Sequence, residues 1–300
     1  MLDRKSQPVV YVASKVILLL LKRQLPIMMN DDTDTLSDDI NKNISDDKLF
    51  QDPPPKEDCP LCMQPVPYAI GLCDVGTTYM PCCGKSICEG CVVAAHGAMI
   101  EGELNPLCPF CRIRLPNSNN VNRMKLKQCK QRMKLDDASA FYTLGRAYQH
   151  AGWGLPVDDE EALKWMKKAA DLGHPDAHHI IANAYYEGQH GVDIDMNKAI
   201  HHWKLAAIGG HEGARLNLGS MDYNDDNIDR AMKHYMISAK SGYDQALKRV
   251  GVGYKDGHVT KDEYANTLRA FQVSVNEMKS VERDRVMGIY GTTGQRRRVV

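Results

Sequence analysis

Residues 140–173 read AFYTLGRAYQHAGWGLPVDDEEALKWMKKAADLG and residues 177–210 read AHHIIANAYYEGQHGVDIDMNKAIHHWKLAAIGG, so this part of the chain repeats itself. Each stretch starts with alanine, has an apolar residue followed by glycine or alanine four residues later, and has tyrosine eight residues later. Each then passes through a glycine-containing loop to a second alanine, an Ala-Ala pair and a closing glycine. Self-similarity at a fixed period indicates a repeat architecture.

The repeat continues with less regularity towards the C-terminus. The first alanines of successive units are 37, 37 and 32 residues apart: Ala140, Ala177, Ala214 and Ala246. The third unit has Asp222 in place of the tyrosine, and it is five residues shorter than its neighbours. We expect that the missing residues come from the loop around 224–227, because loops accept deletions at low cost.

Small residues at these spacings form helix faces that another helix can approach closely. The aromatic residues that fill the space between units are expected to be Tyr148, Trp165, Trp203 and Tyr235. Gly173, Gly242 and either Gly209 or Gly210 lie where a helix ends in a left-handed residue. The sequence therefore predicts a mainly α-helical protein, with pairs of antiparallel helices stacked into an α-solenoid over residues 138–286. Residues 262–286 are expected to form a closing helix, and residues 287–300 a basic tail.

The pattern A-x3-LG-x2-Y, followed by a glycine-rich loop and A-x6-AA-x2-G, resembles the Sel-one-like repeats, relatives of the tetratricopeptide repeats. The resemblance covers about residues 137–254. It implies an α-solenoid that binds other proteins, and it does not imply catalysis.

Cysteines are concentrated in one short segment. Nine of the ten lie between Cys59 and Cys111, and the tenth is Cys129. Closely spaced C-x2-C pairs suit two thiolates on one tetrahedral metal, whereas a disulfide framework gains more from closing long loops. Eight of the cysteines form four pairs, the number of ligands needed for two tetrahedral zinc ions: Cys59 and Cys62, Cys82 and Cys83, Cys88 and Cys91, Cys108 and Cys111. We call residues 59–115 the cysteine module and expect it to bind two zinc ions.

The Cys-Pro-x-Cys ends and the Cys-Gly-Lys-x-Ile-Cys centre resemble an all-cysteine RING finger. The resemblance implies that the first and third pairs bind one zinc ion and that the second and fourth pairs bind the other. Most RING fingers have a histidine where this chain has Lys85. Adjacent cysteines can share a zinc ion only in restricted backbone geometry, so Cys73 is kept as a reserve ligand in place of Cys82 or Cys83.

The RING resemblance also implies a function. In that family the zinc-built surface recruits a ubiquitin-conjugating enzyme, with Leu61 and Pro109 at the contact positions and Arg112 as the linchpin that orients the thioester. The expectation is a RING-type ubiquitin ligase whose solenoid binds a protein substrate or partner. The alternative is a scaffold without enzymatic activity, in which the zinc module is only an interaction surface.

The remaining segments are polar or strongly charged. Residues 1–58 are expected to be an N-terminal segment and a disordered acidic linker, and residues 116–137 a basic helical linker. The linker is either a solvated helix or a nucleic-acid patch; the balance of 38 basic and 38 acidic residues makes nucleic-acid binding the weaker expectation. The histidine pairs 178–179 and 201–202 are expected to be packed or solvent-exposed and not to form a site.

The N-terminal apolar run over residues 8–21 is too short and interrupted for a membrane span, since about 20 apolar residues are needed. No small-x-small cleavage site follows it, so secretion is disfavoured. A reducing compartment, cytoplasmic or nuclear, is expected.

Overall fold

Helices dominate the part of the chain that the computed structural model describes, residues 44–66, 76–100, 107–114 and 120–285. The predictions for residues 1–43, for Cys73 and for the basic tail lie outside this part. The elements that precede the solenoid are α1 Asp46–Leu49, β1 Thr77–Met80, β2 Lys85–Cys88, α2 Glu89–Ile100 and α3 Val121–Met133. None of the described helices is both long enough and apolar enough to cross a membrane.

The chain forms an α-solenoid of helix pairs, as the sequence predicts. Its helices are α4 Ala138–Gln149, α5 Asp159–Asp171, α6 Pro175–Glu187, α7 Met196–Ile208, α8 Glu212–Asn224, α9 Ile228–Lys240, α10 Asp244–Lys255 and α11 Lys261–Glu277. The first three pairs are α4 with α5, α6 with α7, and α8 with α9, and each pair also packs against the next. The last two helices pack against each other and against α9.

The repeated small residues lie where helices touch. The alanines that open the units are all fully buried: Ala140, Ala177, Ala214 and Ala246. A Cβ atom at Gly219 would lie 2.7 Å from the ring of Tyr235, so that position admits no larger residue without movement of the ring. Trp203 and Tyr235 are buried beside these contacts, whereas Tyr148 and Trp165 are partly buried. The close helix contacts predicted from the spacing are therefore present.

The turns follow a common scheme. Asp158 and Asp195 cap the second helices of the first two units through their carboxylates, and their backbone N–H groups donate to the carbonyls of the repeat tyrosines, Tyr148 and Tyr185. Gly173, Gly210 and Gly242 close three units with positive φ angles of 83°, 95° and 92°. Of the two candidates in the second unit, the left-handed residue is therefore Gly210 and not Gly209. In the third unit, α8 ends at Asn224 and α9 begins at Ile228, so this loop is the shortened one.

The closing helix is shorter than predicted. Helix α11 starts with a capping box of Thr260 and Glu263 but ends at Glu277, not near residue 286. The chain turns over residues 278–280 and resumes a helical conformation over residues 281–285. This turn brings the nearly buried Arg283 against the cysteine module, where it donates to the carbonyls of Pro65 and Gln64.

Two segments predicted as linkers pack against the solenoid. Residues 44–58 are not a disordered linker: Leu49 is fully buried against α7 and α8, and Ser45 caps the single turn of α1. Helix α3 is likewise more than a solvated basic helix, because Cys129 is fully buried and Leu126 and Met133 pack with the first unit. In both cases a few apolar residues in a charged stretch anchor the chain.

The histidine pairs are packed between units. Nδ1 of His178 lies 2.9 Å from Nδ1 of His202, and the ring of His179 stacks on His211 with 4.0 Å between centroids. Loss of hydration lowers the pKa of His178 to about 4 and that of His179 to about 3. These histidines are therefore neutral at pH 7 and serve as packed aromatic rings.

The alanine contacts predict which substitutions the solenoid tolerates. Ala177→Asp places a charge in a fully buried contact and is expected to lower the free energy of unfolding by about 3–5 kcal/mol. Lys167→Ala changes an exposed side chain and is expected to alter it by less than about 0.5 kcal/mol. Chemical denaturation followed by circular dichroism measures both, and equal effects would contradict the helix contacts described here.

The packed histidines predict a loss of stability in acid. In the unfolded chain a histidine takes up a proton near pH 6.5, whereas folded His179 stays neutral down to about pH 3. The unfolded state thus binds more protons as the pH falls from 6.5, and each such histidine costs up to about 1.4 kcal/mol per pH unit. Chemical denaturation at pH 7.5 and at pH 5.5 should show that the free energy of unfolding falls less for His179→Gln than for wild type. An identical loss would show that His179 titrates normally in the fold.

Candidate metal centres

Two short hairpins of the same construction present the first and last cysteine pairs. In the first, the backbone N–H of Cys59 donates to Gln64 at 2.9 Å, and that of Met63 donates back to Cys59 at 2.8 Å. Met63 has a positive φ of 54°, which folds the chain back directly after Cys62. This geometry points two sulfurs of a Cys-x2-Cys sequence to one side.

The second hairpin matches the first residue by residue. The N–H of Cys108 donates to Ile113 at 2.8 Å, and the N–H of Arg112 donates to Cys108 at 3.0 Å. Arg112 has a φ of 59° and occupies the place that Met63 has in the first hairpin. The two hairpins are therefore equivalent supports for metal ligands.

A two-stranded antiparallel hairpin presents the middle cysteines. Strands β1 and β2 pair Met80 with Lys85 at the turn and Thr77 with Cys88 at the open end. The adjacent Cys82 and Cys83 lie in the turn, whereas Cys88 ends β2 and Cys91 lies in the first turn of α2. At about 3.3 Å per residue, the first and last residues of a four-residue strand lie about 10 Å apart.

Eight thiols come together in two groups of four. The first group is Cys59, Cys62, Cys88 and Cys91, and the second is Cys82, Cys83, Cys108 and Cys111. Within each group, all sulfurs lie within 4.8 Å of one another. The first and third pairs share one group and the second and fourth pairs share the other, so the groups are interleaved along the chain.

The sulfur distances fit a tetrahedral zinc ion. Zinc–sulfur bonds of about 2.3 Å place the sulfurs of a tetrahedron about 3.8 Å apart. The distances are 3.8 Å from Cys62 to Cys88, 4.0 Å from Cys83 to Cys108, and 3.5 Å from Cys111 to Cys82. A disulfide needs about 2.05 Å, and all described cysteines are free thiols. The adjacent Cys82 and Cys83 both reach the second group, while Cys73 lies outside the described residues.

One thiol in each group has a lowered pKa. Burial raises the pKa of Cys59, but backbone N–H groups, chiefly that of Cys62, overcome this and lower it to about 7. Backbone N–H groups lower the pKa of Cys108 in the same way. Burial, then hydrogen bonds with neighbouring cysteines and repulsion from their thiolates, raise the pKa values of Cys82 and Cys91. A bound divalent cation would remove that repulsion, so the two groups could hold a metal ion.

The module is attached to the solenoid on two sides. Beside the first group, Arg283 donates to the sulfur of Cys62 at 3.5 Å, and a Cβ atom on Gly90 would lie 2.7 Å from the Arg283 backbone. Beside the hairpin, Tyr79 donates its hydroxyl to Asp137 at 2.7 Å, and Arg132 donates to the same carboxylate at 2.9 Å. These contacts fix the module relative to the first helices and to the end of the solenoid.

The residues predicted to contact a conjugating enzyme differ in exposure. Leu61 is 39% exposed, and Arg112 is exposed directly after the last cysteine. Pro109, the other residue predicted to contact the conjugating enzyme, is buried. Phe110, 42% exposed, occupies in the second hairpin the place that Leu61 has in the first. The equal spacing of the two Cys-Pro-x-Cys sequences could have predicted that Phe110 is equivalent to Leu61.

Comparison with known proteins identifies the repeats. Residues 138–174 and 175–211 match the family model for the Sel1 repeat. These residues are two Sel1 repeats. The match ends before the third and fourth units and does not extend to the cysteine module.

Two solved structures are similar to the chain. A Sel1 repeat protein from Oxalobacter formigenes is 24% identical over 58% of this chain and 71% of its own, with a TM-score of 0.44. A protective antigen of uropathogenic Escherichia coli with an SLR fold is 26% identical over 56% of this chain and 36% of its own, with a TM-score of 0.42. The search of curated proteins gives no match.

The two cysteine groups predict the metal content. Chain purified without chelator is expected to contain two zinc ions, and Cys88→Ser is expected to reduce this to one, because Cys88 belongs to one group only. Cys129→Ser is the matched control, since Cys129 is buried outside both groups, and Cys73→Ser should also leave two ions. Elemental analysis by mass spectrometry measures the count. A count of one in wild type, or of two in Cys88→Ser, would contradict the assignment.

Proposed function

We propose that the chain is a RING-type ubiquitin ligase or ligase adaptor, in which the cysteine module recruits a charged conjugating enzyme and the solenoid binds the protein to be modified. The observation that carries the proposal is the interleaving of the two four-cysteine groups around one hairpin. Consecutive pairs would form two separate zinc loops. Interleaved pairs instead make one rigid unit with both Cys-Pro-x-Cys hairpins attached to a shared core.

Zinc bound by four cysteines has no open coordination position, so in this proposal the metal shapes the surface and takes no part in the reaction. The chemistry is then a transfer of ubiquitin from the cysteine of the conjugating enzyme to an amine of the substrate. The module contributes orientation, which raises the rate by holding the reacting groups in place. No nucleophile of this chain is needed, and the free Cys129 is buried with a pKa raised to about 12.

Exposed side chains beside both hairpins support this role. Four apolar side chains are between 39% and 70% exposed: Leu61, Met63, Phe110 and Ile113. A zinc site that only stabilised the chain would gain nothing from exposing them, whereas apolar area beside a zinc site suits recruitment of a partner. The left-handed backbone at Arg112 sets the direction in which its guanidinium leaves the hairpin. A guanidinium can donate to two carbonyls at once, which the linchpin role requires.

The second candidate function is a scaffold without ligase activity. Sel1 repeats favour protein partners, and the solenoid would bind such partners whether or not ubiquitin is transferred. The attachment of the module through Arg283 and Asp137 favours the scaffold, because a module used only to extend the solenoid would be fixed in this way. In either case a reducing cytosol or nucleus is the expected compartment, since it keeps the thiols available for zinc.

The ligase proposal predicts the effect of one exposed arginine. Arg112→Ala is expected to lower the rate of ubiquitin discharge at least about tenfold, because the lost hydrogen bonds orient the thioester. Stability should change by less than about 0.5 kcal/mol, with zinc content unchanged. The measurement is discharge from a panel of charged conjugating enzymes.

Arg114→Ala is the matched control, since Arg114 is an exposed arginine two residues away. It should discharge at the wild-type rate. Leu61→Ala and Phe110→Ala should weaken recruitment of the conjugating enzyme and leave the reaction of the bound enzyme unchanged. If folded, zinc-loaded wild type promotes discharge from no enzyme of the panel, the scaffold is the better account.

A further inference from the structure

A groove across helices α7, α8 and α9 holds residues 44–56, which we call the docked segment. Leu49 enters the groove with no exposed area. Its neighbours in the apolar cluster include Trp203, Ala207 and Leu218. The groove therefore contains a pocket for one leucine-sized side chain, built from the small residues of the repeat and one tryptophan.

Arg215 binds the backbone of the docked segment. It is 2% exposed, and its guanidinium donates to the carbonyl of Leu49 at 2.8 Å and to that of Ala207 at 2.9 Å. One cation thus joins a carbonyl of the groove to a carbonyl of the occupant. This contact does not depend on which side chain the occupant carries, so it suits any chain laid into the groove.

The residues beside Leu49 add charge and an aromatic contact. The Phe50 ring lies 4.6 Å from the His234 ring, and the cations of Arg230 and Lys233 lie 5.1 Å and 5.8 Å from its centre. Arg230 also forms an ion pair with Asp46. The groove therefore selects an acidic residue, two residues of any kind, a leucine and an aromatic residue, in that order.

The docked segment has the properties of a bound peptide. Its only regular structure is the four-residue α1, and one helical turn is not stable by itself in water. Residues 51–57 have no regular structure and run to the cysteine module. The order of this segment therefore comes from the groove.

We infer that this groove is a peptide-binding site, and that protein partners bind it through a short segment of the same pattern, in competition with the docked segment. The inference rests on the protein-binding role of the solenoid and is independent of ligase activity. A tethered occupant acts at an effective concentration in the millimolar range for a short flexible tether. A partner segment must therefore outcompete it, which makes the site selective for tight or multivalent partners.

The test uses a labelled peptide, NISDDKLFQD, which corresponds to residues 43–52. Fluorescence anisotropy measures its binding to the full-length chain. The double variant Leu49→Ala and Phe50→Ala, which weakens the internal occupant, should bind the peptide at least tenfold more tightly than wild type. Asp47→Ala is the matched control, because Asp47 is an exposed acidic residue of the same turn, and it should bind as wild type does.

Two further arms test where the peptide binds. The peptide NISDDKAAQD should not bind the double variant, and adding Arg215→Met to that variant should weaken binding of the original peptide at least tenfold. If the double variant is unfolded, Asp46→Lys replaces it, because it breaks the exposed ion pair with Arg230 and leaves the buried leucine in place.

Three results would overturn the inference. The first is a folded variant that binds the peptide no better than wild type. The second is unfolding of both variants, which would make the segment a permanent part of the fold. The third is a dimer that forms by exchange of the segment and excludes the peptide, which would assign the groove to a second copy of the chain. Since none of these readouts involves ubiquitin, their outcome is independent of the proposed ligase activity.

Discussion

The contact between small residues on neighbouring helices is the constraint on which the rest of the structure depends. The helices approach closely because alanines such as Ala177 and Ala214 are fully buried between them. Gly219 does the same where it lies against the ring of Tyr235. This spacing sets the depth of the groove that holds Leu49. The cysteine module is attached near both ends of the solenoid, through Asp137 and through Arg283.

One of the two attachments of the cysteine module also holds the residues that follow the last solenoid helix. Arg283 is nearly buried, and its guanidinium donates to the backbone of Pro65, to the backbone of Met278 and to the sulfur of Cys62. A cation beside a thiolate group favours the charged form of the sulfurs. Arg283 thus places a positive charge from the end of the solenoid beside the first cysteine group.

The repeats could be read from the sequence because their signal is local. Alanine, glycine and tyrosine recur at fixed spacing, and each of them acts through neighbours within the same or the next unit. The grouping of the eight cysteines agrees with the grouping that the RING resemblance implies, including the adjacent Cys82 and Cys83. Cys82 and Cys83 can both belong to the second cysteine group because of the tight turn between β1 and β2, where Gly84 has a φ of 68°.

The contacts that sequence patterns missed join residues far apart in the chain. Residues 44–58 carry mostly charged and polar side chains, and only their partners, 166 residues away for Leu49 and Arg215, show that they are ordered. The same is true of Arg283 and Pro65, which are 218 residues apart. The burial of Pro109 is a feature of tertiary packing, which no motif of four residues records.

We propose that two zinc ions, held by interleaved pairs of cysteines, build one rigid surface beside the α-solenoid. Anomalous diffraction from crystals of the full chain at the zinc absorption edge tests it most directly. We expect two separate peaks, each surrounded by four sulfurs at about 2.3 Å, from Cys59, Cys62, Cys88 and Cys91 and from Cys82, Cys83, Cys108 and Cys111. A single peak, or two peaks whose ligands are consecutive pairs along the chain, would contradict it.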